Sequence, residues 1–318
     1  MPTLGIGRVT ATVDAKGKGL DPLAKGTVAD IHAKVVSAEY NGYEYKDITA
    51  DVAVHDGMGR LSLDSSAPDA VFGLVASGNL QGDTYDWDMS LDAWHVDMQA
   101  LNMSATPMVL TADLDGNASI SRTGKSLDAG LTLHGFTMKD SVSRISVSDV
   151  TAHLVSSDSV TRLDLKNRDL TSVFTSPCPL DTLAARFSAA VDTVKAQIAM
   201  SHIDVSPIQR ALPRFGLTLQ AGPDNMITDI LAPSDMRFRD LRLDAVNDSL
   251  IYAKARVIRF VTGSTALDTV EFSLRQLGGD LYFNGRMDNR PGTFDNFAHV
   301  GVNGLLASDK FTFMLSQR

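Results

Sequence analysis

One cysteine, Cys178, is all that the 318 residues contain. No intramolecular disulfide can form, and no cysteine cluster can hold zinc. Long apolar runs are missing too. AVFGLVASG (70–78) is the longest nearly apolar stretch, far short of the roughly 20 residues of a membrane-spanning helix. The opening MPTLGIGRVTATVDAKGKG lacks the apolar core of a signal peptide. Positive charge is scarce: 29 Lys+Arg against 38 Asp+Glu leave a net charge of −9. The basic residues are also scattered, which argues against nucleic acid or anionic membrane surfaces as main partners. Aromatic residues make up only 7%, too few for the stacking platforms of a glycan-active β-fold.

Catalytic signatures are absent as well. The seven histidines (32, 55, 95, 134, 153, 202 and 299) are dispersed, with no HxxxH or HExxH pair. There is no GxSxG, and Gly5-Ile-Gly7 lacks the third glycine of a dinucleotide loop. DLDGNAS (113–119) opens like an EF-hand loop, but Gly124 stands where the bidentate Glu belongs. The simpler reading is a hairpin turning on Asp115-Gly116. Cys178 lies between two prolines before a helix, and a structural bystander is the favoured reading. The expectation is therefore a protein that is not an enzyme, with no catalytic residue, no metal ligand and no cofactor.

What the sequence has is alternation. In YDWDMSLDAW, Tyr85, Trp87, Met89 and Leu91 alternate with Asp86, Asp88, Ser90 and Asp92. On a strand this gives one large apolar face and one acidic, hydrated face. The pattern recurs with Ile48, Ala50, Val52 and Val54, with Leu61 and Leu63, with Ile145 and Val147, and with Leu163 and Leu165. It continues with Met236 and Phe238, with Leu241 and Leu243, and with Val270, Phe272 and Leu274. Turn signals stand between many of these segments: Asn41-Gly42, Asp56-Gly57, Asp115-Gly116, Gly278-Gly279 and Asn303-Gly304. The spacing predicts a meander of about 15 strands. Parity slips after Leu91, where the apolar set moves to Trp94, Val96 and Met98, and again after Val147. Bulges or corners are predicted near Ala93 and Ser148–Asp149.

One region changes period. Leu183, Phe187, Val191, Val194 and Ile198 form a helical stripe, with Asp181 as the predicted N-cap. Ser206-Pro207 reads as the start of a short second helix ending at Pro213. The predicted organisation is a β-segment over 1–179, a helical insert over 180–212 and a continuing β-segment over 213–318. Hydrophobic residues at 44% and charged residues at 21% place the chain among globular proteins. The closing KFTFMLSQR reads as an intact strand, so the expectation is a soluble segment of a longer protein.

An apolar face without catalytic residues admits a groove for lipid acyl chains or an elongated scaffold with a filled core. Periodicity alone does not separate them. Several segments resemble the TamB members of the AsmA-like family of Bacteroidota. They are VVSAEYNGYEYKDITADVAVHDGMGRLSLDS (35–65), LDLKNRDLTSVFTSPCPLDTLAARF (163–187) and IDVSPIQRALPRFGLTLQAGPDNMI (203–227), with NGRMDNRPGTFDNFAHVGVNGLLASDKFTFMLSQ (284–317). The resemblance implies an all-β fold, an elongated, curled antiparallel sheet forming a taco-like β-groove, with a small α-helical insert. It implies a periplasmic segment of a longer inner-membrane-anchored protein, moving phospholipid toward the outer membrane. An Omp85-type partner would engage regions outside this chain. The alternating apolar residues named above, from Ile48 to Leu274, are then the candidate lining for phospholipid acyl chains. That assignment comes from periodicity. A β-rich scaffold of outer-membrane protein assembly is the alternative.

Overall fold

A computed structural model describes residues 6–19, 21, 23–24, 26–40, 43–200, 204–289, 299–307 and 310–317. It divides into two compact units, 1–151 and 152–318. The division falls inside one strand, and the helical insert lies within the second unit. Each unit is mainly antiparallel β-sheet.

The first unit runs through β1 (Ile6–Lys18), β2 (Val28–Tyr40), β3 (Tyr43–Tyr45), β4 (Ile48–His55), β5 (Met58–Ala67) and β6 (Ala70–Asn79). It continues with β7 (Thr84–Asp97), β8 (Met108–Ser121), β9 (Leu127–Asp140), β10 (Arg144–Val147) and the start of β11 (Val150–Ser156). Apart from the short β3, each strand from β1 to β9 pairs antiparallel with the next, β2 reaching past β3 to β4. Hairpin chemistry explains much of this. Asp56 and Gly57 both take positive φ, 50° and 77°, as a two-residue turn matched to strand twist requires. No helix occurs in this unit among the described residues.

The second unit continues β11 and adds β12 (Thr161–Asn167), β13 (Leu170–Ser176), α1 (Leu180–Ala199), α2 (Val205–Ala211) and β14 (Phe215–Ala221). Next come α3 (Met226–Leu231), a 3-10 turn at Ala232–Ser234, β15 (Met236–Arg237), β16 (Asp240–Asn247) and β17 (Ile251–Thr262). The last strands are β18 (Thr265–Leu277), β19 (Asp280–Asp288), β20 (His299–Ala307) and β21 (Lys310–Gln317). β12, β13, β14 and β16 to β21 form a second antiparallel series. β1 pairs in register with β2, and β21 with β20. In neither unit does the meander close into a barrel.

The strand count is therefore higher than the predicted fifteen: 21 among the described residues. Two turn signals are corrected. Asp115-Gly116 lies inside β8 and Asn303-Gly304 inside β20. Each glycine accepts a neighbouring side chain: a Cβ on Gly116 would lie 3.2 Å from the Met89 side chain, and one on Gly304 would meet the Phe283 ring at 2.0 Å. Glycine here marks close approach across a strand rather than a turn. Gly278-Gly279 does turn, at φ of 60° and 94°. Asn41-Gly42 lies outside the described residues.

The parity slips are real. Register shifts occur between Val71 and Phe72 in the β6–β7 pairing and between Ala93 and Val96 in the β7–β8 pairing. Residues 148–149 separate β10 from β11. The bulge restores Val96 to the face of Phe72 and Leu110, but not Trp94. The Trp94 ring lies over Gly73 beside Asp64, 57% exposed, on the polar face.

Candidate functional site

Residues directly opposite one another on neighbouring strands point to the same face of a sheet. The registers therefore show whether strand-by-strand alternation adds up to a surface. In the first unit it does. One row runs Val13, Ala33, Ala50, Leu63, Leu74, Leu91, Leu114, Leu133 across β1, β2 and β4 to β9. A second runs Ala15, Ile31, Val52, Leu61, Ala76, Met89, Gly116, Leu131. A third passes through Ala29, Val54, Gly59, Gly78, Trp87 and Ala118. Tyr85 faces Ile120, and Ile48 stands between Val35 and Ser65. Past the bulge, Ala70, Val96, Leu110, Met138 and Ile145 extend the face to β10, with Val147 opposite Phe136.

The sequence-predicted lining residues of this unit thus converge on one face. Their cover differs. Val54, Ile145 and Val147 are buried, Ile48, Val52, Leu61, Leu63, Tyr85, Trp87 and Leu91 are half-buried, and Met89 is 40% exposed. The Trp87 ring lies along the sheet: a Cβ on Gly78 would sit 2.5 Å from its Cδ2, and one on Gly59 would sit 3.2 Å from its Cη2. Glycines at these two positions let a large ring lie flat against the backbone.

The opposite face is polar. His32 Nδ1 lies 2.6 Å from Asp51 Oδ1, and His55 Nε2 lies 2.7 Å from Asp30 Oδ1. His134 approaches Asp115 and Asp149 at 3.7 and 3.1 Å. These pairs are exposed and add little stability. Near its rim, the Tyr43 hydroxyl donates to Asp69 Oδ2 at 3.0 Å. Burial first, then that hydrogen bond, push the Tyr43 phenol up to about 12. Among the described residues no group of three or more His, Cys, Asp or Glu side chains is placed to hold a metal. No described helix is long and apolar enough to cross a membrane.

The second unit carries similar rows with a different cover. Leu163, Phe174, Leu217, Ala245, Ala253, Leu274 and Phe283 form one. Leu165, Ser172, Leu219, Leu243, Ala255, Phe272 and Gly285 form the next, and Leu170, Ala221, Leu241, Val257, Val270 and Met287 a third. At one end the face is filled. Leu170, Ala221 and Phe238 make a buried cluster, with Leu165, Met226, Ile227 and Leu231 packed against it. Phe238 and Leu165 therefore sit in a closed core, with Met236 half-buried at its edge on β15. Away from it the face opens: Val270 and Leu274 are half-buried and Phe272 is 45% exposed.

α3, which closes that core, has no counterpart in the periodicity reading. Its signal is a capping box, Asn225-x-x-Thr228, satisfied in both directions. Asn225 is fully buried. Its Oδ1 accepts from Ile227 N at 2.9 Å, and its Nδ2 donates to Gly222 O at 2.7 Å.

α1 docks on the same face as Phe174 and Phe215. The Phe187 ring centroid lies 6.3 Å from that of Phe174 and 5.8 Å from that of Phe215. The buried stripe is Leu183, Ala190 and Gln197, with Phe187 and Val194 half-buried. Val191 and Ile198 of the predicted stripe are 50% and 61% exposed. Gln197 displaces them because its Oε1 accepts from Asp204 N at 2.8 Å and so ties α1 to α2. Pro179 rather than Asp181 takes the N-cap of α1, and Asp204 rather than Ser206 that of α2. Cys178 is a free thiol 3.1 Å from Ser176 Oγ.

Comparison of the chain with protein-family models, with curated proteins and with solved structures returns no match.

Proposed function

We propose that this protein is a non-enzymatic segment of a lipid conduit, and that the apolar face of its first unit holds phospholipid acyl chains. The observation that carries the reading is the run of in-register apolar rows across β1, β2 and β4 to β9, in a unit with no described helix to cover them. Contiguous apolar surface beyond a few hundred Å² marks an interaction site on an ordinary soluble protein. Exposing an acyl chain of about 16 carbons to water costs on the order of 12 kcal/mol. Seven strand spacings of ~4.8 Å give each of the two eight-strand rows a path of about 34 Å, along which a chain stays in apolar contact. The resemblance of 35–65, 163–187, 203–227 and 284–317 to TamB proteins supports the same reading. It supplies the proposed periplasmic setting, transport toward the outer membrane and an Omp85-type partner outside this chain.

The filled cluster of Leu170, Ala221 and Phe238 favours a second reading for its own part of the second unit, a structural scaffold. Mass spectrometry of lipid co-purifying with the chain separates the two. Phospholipid at a defined ratio to protein is expected of the conduit. A chain purified free of phospholipid, and unable to take it up from vesicles, would leave the scaffold standing.

A further inference from the structure

α1 and α2 leave an open groove of about 310 Å³ between them, lined by Phe187, Ala190, Val191, Val194, Ile208 and Leu212, with Lys195 beside them. We infer that this groove binds one long-chain fatty acid, its hydrocarbon along the apolar wall and its carboxylate on the Lys195 ammonium. The inference rests on the acyl-chain reading above only for the class of ligand.

Three observations carry it. First, among the described residues lining the groove all are apolar except Lys195, the one charged side chain there; neither carboxylate of α1, Asp181 or Asp192, lines it. A single cation at an apolar slot complements a single-chain amphiphile with an anionic end. Second, the wall is unfinished as helix packing. Val191 stands half in water while Ala190, one position away, is buried. Third, Phe187 belongs both to the groove and to the ring cluster with Phe174 and Phe215, which fixes one end of the groove wall on the apolar face of its own unit. The volume is at the small end of ligand pockets. It suits one chain and leaves no place for the second chain and glycerol of a phospholipid. Arg186 Nη2 donates to Arg210 O at 2.7 Å, which holds the two helices together without spending Lys195.

The test titrates palmitate into the full chain by calorimetry, with 1-hexadecanol and phosphatidylglycerol vesicles as parallel titrants. Palmitate is expected to bind at one site per chain, and Lys195→Glu to weaken it at least about tenfold, as loss of one charge-assisted contact should. Val191→Asp, at an exposed position, should weaken both palmitate and hexadecanol with the circular dichroism unchanged. Lys34→Glu, on the polar face of the first unit, is the control and should change nothing. Equal palmitate affinity in the native protein and in Lys195→Glu overturns the inference, as does binding of vesicles in place of free palmitate. The sheet reading is tested separately. A chain that carries no phospholipid yet loses palmitate on Lys195→Glu keeps the groove and sinks the conduit. Phospholipid carriage with Lys195-independent palmitate binding does the reverse.

Discussion

Two leucines on similar rows should respond to the same substitution in opposite ways. Leu91 lies between Leu74 and Leu114 on the first unit's apolar face and is half-buried. Leu170 lies in the filled cluster of the second unit, 1% exposed. Full burial of a leucine side chain contributes about 1.5–3 kcal/mol, and half-burial roughly half of that. Cross-strand apolar pairs add about 0.2–1 kcal/mol each. Leu91→Glu therefore costs about 1–3 kcal/mol, because the carboxylate reaches water over an open face. Leu170→Glu loses the whole burial term and strands a charge among apolar atoms, a cost of several kcal/mol more. Because the chain has two compact units, one melting temperature would mix them. Unit-resolved hydrogen exchange is the assay, with bound phospholipid per protein measured on the same samples. Leu170→Glu should abolish protection in β12 to β16. Leu91→Glu should keep protection in β4 to β9 while phospholipid falls. Asp88→Lys, on the polar face, should leave both unchanged. If Leu91→Glu removes protection as completely as Leu170→Glu does, the face is closed and the conduit reading is wrong. A protected Leu91→Glu with undiminished lipid would take Leu91 out of the path.

Other outcomes are open to direct measurement. Gly78→Ala places a Cβ 2.4 Å from Asp86 O and 2.5 Å from the Trp87 ring. It should cost about 1–3 kcal/mol by overpacking and shift Trp87 fluorescence, and an unchanged denaturation midpoint would contradict the flat-ring geometry. Asn225→Ala removes the cap of α3 and leaves the Gly222 carbonyl without its amide donor. A loss of about 1–3 kcal/mol is expected, with protection reduced around Leu170, and a silent substitution would show that α3 does not close the core. Burial, and then the hydrogen bond to Asp69, push the Tyr43 phenol up to about 12 from its ordinary value of 10.0. Between those values the folded form holds the extra proton, so stability falls as pH rises from 10 to 12. Tyr43→Phe should flatten that part of the stability profile. A titration in which the phenolate absorbance lost on Tyr43→Phe is the part appearing at an ordinary phenol pH would refute it.

Alternation every second residue was enough to assign the fold class and to name one face of most strands, because period 2 is a local property of extended backbone. Local chemistry was also enough for the turns at Asp56-Gly57 and Gly278-Gly279, for the bulge near Ala93 and for the existence of α1. Pairing partners are not local. Gly116 and Gly304 read as turn residues until their registers with Leu131 and Phe283 show a side chain lying across each. The α1 stripe rotated by one position because Gln197 is held by Asp204, a contact across a helix connection that hydropathy does not weigh. Leu91 and Leu165 both read as apolar strand positions, and nothing in their own segments tells an open row from a closed core. That difference was decided by where α3 and Phe238 come to rest, over Leu170 and Ala221. Burial is set by what a distant part of the chain covers, and strand periodicity is blind to it.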